Sequence, residues 1–314
     1  ISMTSFAFLF PGQGSQAVGM LDAWGDHPAV IQTMTEASDA LGIDVGRLVR
    51  EGPKEQLDLT TNTQPVMLTA GIACYRAWIA EAGRVPDALA GHSLGEYSAL
   101  VAAGALTLTD ALPLVRFRAQ AMQEAVPVGA GAMAAILGLE AQVVRDGCAE
   151  VAQASGEVVE AANFNDPKQT VISGSQAGVA KACELLKAAG AKRTLLLPVS
   201  APFHCSLMKP AAERLKSKLA SVSLNAPAVP VVNNIDVRVE SDPGRIRDAL
   251  YRQAFGPVRW FETVQALRAL GIGLLVECGP GKVLAGMVKR IDSTAESGAV
   301  YDPASLAEVR GLLA

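Results

Sequence analysis

Histidine is scarce in this chain, with three in 314 residues. None stands in a pattern with cysteine that would ligate zinc, and no CxxC pair occurs among Cys74, Cys148, Cys183, Cys205 and Cys278. An odd cysteine count without such spacing argues against a disulfide scaffold and makes reduced thiols the expectation. Positive charge is not in excess either. The 27 Lys and Arg against 31 Asp and Glu leave a net charge of −4, which argues against a protein built to coat nucleic acid or an anionic membrane. Long hydrophobic runs are also lacking: the longest, 66–80, carries Arg76 and falls short of a bilayer span. No basic segment precedes the first apolar stretch, so no secretory signal is read; Ile1-Ser2 ahead of Met3 reads as a cloning remnant, and a cytoplasmic protein is expected. What is present in quantity is apolar. Half the residues are hydrophobic and 18% are charged, enough for one large core or a core plus a subdomain.

Phe6 to Phe10 is a compact apolar run stopped by Pro11-Gly12-Gln13-Gly14, which predicts a buried strand entering a tight loop. Helices are predicted over 27–41, over 64–82 with Pro65 in the first turn, over 94–103 and over 109–125. A short strand at 88–90 lies among them, so strands alternate with helices as in an α/β layer with a parallel sheet. From 129 the pattern changes. Strand 132–137, helix 140–154, strands 157–163 and 169–173 joined by the turn Asn165-Asp166-Pro167, helix 175–189 and strand 194–199 give the order βαββαβ of a ferredoxin-like unit. The α/β pattern then resumes with a helix near 206–222, strands at 229–235 and 272–277, and a helix after Gly279-Pro280-Gly281. A large α/β subdomain over 3–128 and 200–314, with a small one inserted over 129–199, is therefore expected.

Gly91-His92-Ser93-Leu94-Gly95 fits the G-x-S-x-G elbow, in which a serine sits on a sharp strand-to-helix turn and glycines admit the close backbone approach. The same residues also fit a plain turn with Ser93 as a helix N-cap. A nucleophilic serine needs a general base, usually histidine. His92 adjoins Ser93 and leaves the backbone in another direction, and His27 lies in a polar turn at a helix start. His204 follows strand 194–199 after a short loop, which puts it at the carboxyl edge of a sheet where α/β sites form. Cys205 beside His204 is a rival nucleophile, but a thiol next to its own base in sequence points away from it.

Acyl transfer also needs backbone N–H groups aimed at the developing oxyanion. Leu94 supplies one by the elbow geometry, and the loop Pro11-Gly12-Gln13-Gly14-Ser15-Gln16 is placed to bring a second. A phosphate-gripping turn is the other reading of that loop, although the P-loop lysine is absent. In helix 109–125, Arg118 falls on the otherwise apolar stripe Ala111, Val115, Met122. An inward guanidinium requires an anion: either an internal Asp or Glu, or a substrate carboxylate that its planar fork grips with two bonds.

Pro11 to Gln16, Gly91-His92-Ser93-Leu94-Gly95-Glu96-Tyr97, Arg118, Phe203-His204 and Gly279-Pro280-Gly281-Lys282 occur in one order along the chain. In this the chain resembles the malonyl-CoA:acyl carrier protein transacylases of bacterial type II fatty acid synthesis, over essentially its whole length from Met3. The resemblance implies a hydrolase-like parallel-sheet large subdomain with an inserted ferredoxin-like small one, and an active site in the cleft between them. It implies a ping-pong enzyme in which Ser93 carries the malonyl group as an ester and His204 serves as base and acid. Gln13 and Leu94 would form the oxyanion hole, the Gln253 carbonyl would orient His204, and Arg118 would hold the malonyl carboxylate. His92, Met122, Asn163, Asn165 and Phe203 would line the substrate site, and Phe203 goes with malonyl rather than methylmalonyl. No metal or cofactor is implied, because malonyl-CoA and phosphopantetheine arrive as substrates. The expected partner is an acidic acyl carrier protein docking transiently on Lys192, Arg193, Lys289 and Arg290. No nucleic acid or membrane partner is implied, and a monomer is expected. The readings that compete with this one are a serine thioesterase or esterase, a malonyltransferase serving a polyketide carrier, and a non-catalytic carrier-binding scaffold.

Overall fold

The computed structural model describes residues 4–199 and 201–314. Met3 and Ser200, where two of the expected subdomain segments begin, lie outside the described residues. Strand β1 (Phe6–Phe10) is buried at every position, as a strand covered on both faces must be. It is followed by helices α1 (Pro28–Leu41), α2 (Val45–Glu51), α3 (Lys54–Leu57) and α4 (Thr60–Ala82), then β2 (Ala88–Gly91), α5 (Gly95–Ala102) and α6 (Leu108–Glu124). The middle of the chain forms β3 (Gly131–Leu137), α7 (Ala141–Ser155), β4 (Val159–Asp166), β5 (Gln169–Ser175), α8 (Gln176–Ala188) and β6 (Arg193–Leu196). The last third holds α9 (Lys209–Ser221), β7 (Val231–Val232), α10 (Pro243–Phe255), α11 (Trp260–Ala269), β8 (Leu274–Cys278), α12 (Val283–Ile291), β9 (Glu296–Val300) and α13 (Pro303–Leu312).

Two sheets result. The first, in the order β7-β2-β1-β8-β9, is parallel throughout. Its register pairs Phe10 with Gly91, so the loops after β1 and β2 leave the same edge side by side. The second, β4-β5-β3-β6, is antiparallel, with the strand order of a ferredoxin-like unit. Its side chains alternate as a pleat requires. Ala134, Ile136 and Ile172 pack with residues of α7 and α8, while Met133, Ala135 and Val171 join the core shared with the parallel sheet. In that larger core Phe6, Phe8 and Trp78 meet edge to face. Strand β4 is tied to the segment between α10 and α11 by two main-chain bonds, Phe164 N–H to Val258 O (2.9 Å) and Val258 N–H to Ala162 O (2.8 Å).

Several elements differ from the sequence expectation. Helix α4 begins at Thr60, so Pro65 lies inside it rather than in the first turn; Leu59 precedes it without a side-chain cap, which removes the usual start signal. The strand expected over 229–235 shrinks to Val231–Val232. Beyond it the N–H groups of Asn233 and Asn234 turn to Arg238 O and Glu96 Oε1. Strand β4 continues to Asp166, so Asn165 and Asp166 belong to the strand and the turn is Pro167-Lys168.

Candidate active site

The floor of the site is the carboxyl edge of the parallel sheet. Strand β2 ends at Gly91 and helix α5 begins at Gly95, leaving three residues to reverse the chain. A Cβ on Gly91 would lie 1.8 Å from Gly95 O, and one on Gly95 would lie 2.1 Å from Phe10 O. No other residue fits at either position. Ser93, at the apex, adopts φ 52°, in the left-handed region that side chains rarely enter.

His204 also has a left-handed backbone, φ 60°, and is buried at 4% exposure. Its Nδ1 lies 2.8 Å from Gln253 O, a pure acceptor, so Nδ1 carries the proton and Nε2 faces Ser93 Oγ at 2.6 Å. Burial, reinforced by the positive field of Arg118, lowers the His204 pKa to about 3. The ring is therefore neutral and able to take the Ser93 proton.

Arg118 is 1% exposed. Its Nη1 donates to Gln64 Oε1 (2.7 Å), and its Nη2 donates to Gln253 Oε1 (2.9 Å) and to Ser93 Oγ (3.2 Å). The guanidinium lies over the Tyr97 ring, and Nε has no partner. Among the described residues no carboxylate comes within ion-pair distance of Arg118, so the internal salt bridge left open by the sequence is not formed. Glu96 is buried nearby; burial raises its pKa to about 7, against the pull of the Asn234 N–H and of Arg118.

These groups open on a cavity of about 110 Å³. Gln13, His92, Ser93, Leu94, Arg118, Met122, Asn163, Phe203 and His204 all line it, with Gln64, Met133, Leu197 and Val199. Among the described residues the main-chain N–H groups of Gln13 and Leu94 make no hydrogen bond, whereas that of Ser93 is taken by Asn234 Oδ1. Asn165 is not among the lining residues; its Oδ1 lies 2.8 Å from Nε2 of His92, which is. Asn163 does reach the cavity, with Oδ1 buried and unpartnered. Cys205 Sγ donates to Pro202 O, and burial raises its thiol pKa to about 11, so it is no thiolate. His27 caps α1 and meets Glu81.

The four basic residues lie away from the cavity lining. Lys192, Arg193 and Lys289 are exposed, and Arg290 donates from Nε to Asp166 Oδ2 at 2.9 Å. Sequence reasoning missed Gln64, Tyr97, Asn234 and Glu96 as parts of the site. Asn233-Asn234, two polar residues at the carboxyl end of a strand, and Glu96 in an otherwise apolar helix were the available signals. No group of three or more His, Cys, Asp or Glu among the described residues is arranged to hold a metal. No helix among them is long and apolar enough to cross a membrane.

A family model described as "Acyl transferase domain" matches residues 7–311. The malonyl CoA-acyl carrier protein transacylase of Escherichia coli strain K12 is 52% identical over 306 residues, covering 97% of this chain and 98% of that one. The crystal structure of an acyl-carrier-protein S-malonyltransferase from Burkholderia pseudomallei 1710b superposes with a TM-score of 0.96 at 61% identity, covering 98% of this chain and 100% of that one. A malonyl-transacylase solved in complex with its type II PKS acyl-carrier protein also has a TM-score of 0.96, at 49% identity, with 98% and 100% covered.

Proposed function

The chain belongs to the acyl transferase family, and from that premise we propose that it moves a malonyl group from malonyl-CoA to the phosphopantetheine thiol of an acyl carrier protein, through an ester on Ser93. The observation that carries the reading is Arg118: a buried cation without a carboxylate partner, one N–H of which meets the nucleophile at 3.2 Å. A hydrolase of simple esters has no use for it. A malonyl carboxylate would take the remaining Nη1 hydrogen and the Nη2 hydrogen that now reaches Ser93, freeing Oγ as it binds.

The distances support a first half-reaction of this form. Oγ passes its proton to His204 Nε2 and attacks the thioester carbonyl; the oxyanion settles on the N–H groups of Gln13 and Leu94. The C–S bond then breaks, and the CoA sulfur takes the proton from Nε2. In the second half the pantetheine thiol gives its proton to His204, sulfur attacks the ester, and Oγ leaves with that proton. Phe203 lines the cavity, where its ring would crowd an α-methyl group and so favour malonyl. His92, Met122 and Asn163 complete the wall. The two-sheet layout supports a division into 3–128 with 200–314 and 129–199. We assign the carrier dock to Lys192, Arg193, Lys289 and Arg290, whose charge suits an acidic protein, and we take the enzyme to act as a cytoplasmic monomer without cofactor. The neighbour solved with a polyketide carrier is the specific reason to include such a carrier beside a fatty acid carrier in the assay.

Intact-protein mass spectrometry after mixing with malonyl-CoA tests the reading. One malonyl adduct is expected, lost in Ser93→Ala and discharged by adding carrier protein. Free malonate accumulating without a stable adduct would make the protein a hydrolase.

A further inference from the structure

Ser93 is held in its left-handed conformation by side chains from outside the elbow. Asn234, just past β7, accepts the Ser93 main-chain N–H at Oδ1 (2.9 Å) and donates from Nδ2 to Gly91 O (2.8 Å), spanning the turn from strand end to nucleophile. Gln253 Nε2, on α10, donates to Ser93 O (3.0 Å) and to Asn234 Oδ1 (3.3 Å). Asn234 is completely buried, and its own main-chain N–H is held by Glu96 Oε1 at 2.7 Å. It is not part of the cavity wall. A strained non-glycine residue persists only where its surroundings over-determine it, and here a single amide meets both the residue that ends the strand and the residue that reacts.

We propose that Asn234 is a positioning residue for the nucleophile. It keeps Ser93 Oγ directed at His204, and by occupying the Ser93 N–H it leaves the oxyanion to the N–H groups of Gln13 and Leu94. Glu96 anchors Asn234 in turn. The inference rests on Ser93 being the acylated residue.

Rapid-quench measurement of malonyl-Ser93 formation, for wild type, Asn234→Ala and Asn234→Asp, tests it. Loss of position without loss of the Arg118 site predicts a fall in the acylation kcat of about 10- to 100-fold in Asn234→Ala, with KM changed by less than about 3-fold. Asn234→Asp keeps the acceptor for the Ser93 N–H and loses the donor to Gly91 O. It should recover part of that rate, and it carries the test by itself should the alanine variant fail to fold. A lower melting temperature with kcat per folded molecule unchanged would overturn the proposal, because Asn234 would then serve stability alone. A raised KM at unchanged kcat would overturn it equally. Wild-type protein that never acylates at Ser93 would defeat the functional reading first, a result distinct from either.

Discussion

The imidazole of His204 stays neutral far below the ordinary value of 6.5, because ionising it would place a second positive charge in a dry site beside Arg118. A base with a lowered pKa is lost only when pH falls through that lower value. The kcat/KM for malonyl-CoA is therefore expected to hold its plateau down to about pH 5; a decline centred near 6.5 would show an imidazole of ordinary basicity. Arg118 makes the second residue-scale prediction. Truncating one member of a buried charge pair removes about 2–5 kcal/mol. Arg118→Ala should thus lower kcat/KM for malonyl-CoA by roughly 30-fold to several thousandfold, and should lower it much less for acetyl-CoA, which has no carboxylate. Equal losses on both substrates would make Arg118 a structural cation.

At the scale of elements, β2 and α5 meet with no room for a side chain. Gly95→Ala would drive a methyl to 2.1 Å from the Phe10 carbonyl, a backbone atom that cannot swing aside. A loss of more than about 3 kcal/mol of stability is expected by urea unfolding; a loss under about 1 kcal/mol would mean that the elbow opens easily. This exclusion is local, and for that reason the elbow was legible as a spacing of two glycines about a serine. His204 was legible by elimination among three histidines, although the sheet-edge argument for it did not hold: the strand before it, β6, ends at Leu196 and belongs to the antiparallel sheet. Asn234, Gln64 and Glu96 were not, because they reach the site from distant positions in the chain and fit no local pattern. Helix α10 was also missed. Asp242 caps it and Pro243 opens it, but its buried stripe of Ile246, Ala249, Leu250, Gln253 and Ala254 is short and ends partly polar. The early end of β7 did have a signal in composition, since Pro230 and the pair Asn233-Asn234 are poor strand residues and the asparagines take other partners.

Across the whole molecule, a buried acid away from the site also couples folding to pH. Glu277 on β8 is fully buried, with Oε1 accepting the Ala285 N–H at the start of α12 and Oε2 unpartnered. Burial raises its pKa to about 8 from 4.5. Between those values the folded protein retains a proton that the unfolded chain has released. Stability from this group is therefore complete below 4.5, falls as pH rises, and levels off above about 8. Glu277→Gln should be more stable than wild type by roughly 2–5 kcal/mol at pH 9, with the gap closing near pH 4.5; a gap independent of pH would sink the assignment. The pairing of Phe10 with Gly91 has a different consequence. Gln13 and Leu94 lie three residues past the ends of adjacent strands, so the ladder between β1 and β2 sets the two loops that carry them side by side. Met133, Asn163 and Leu197, which line the cavity, come from or directly follow strands of the other sheet. The elbow and part of the cavity wall thus hang from separate layers, and a substitution in that ceiling can reshape the cavity while the ladder below stays as it is.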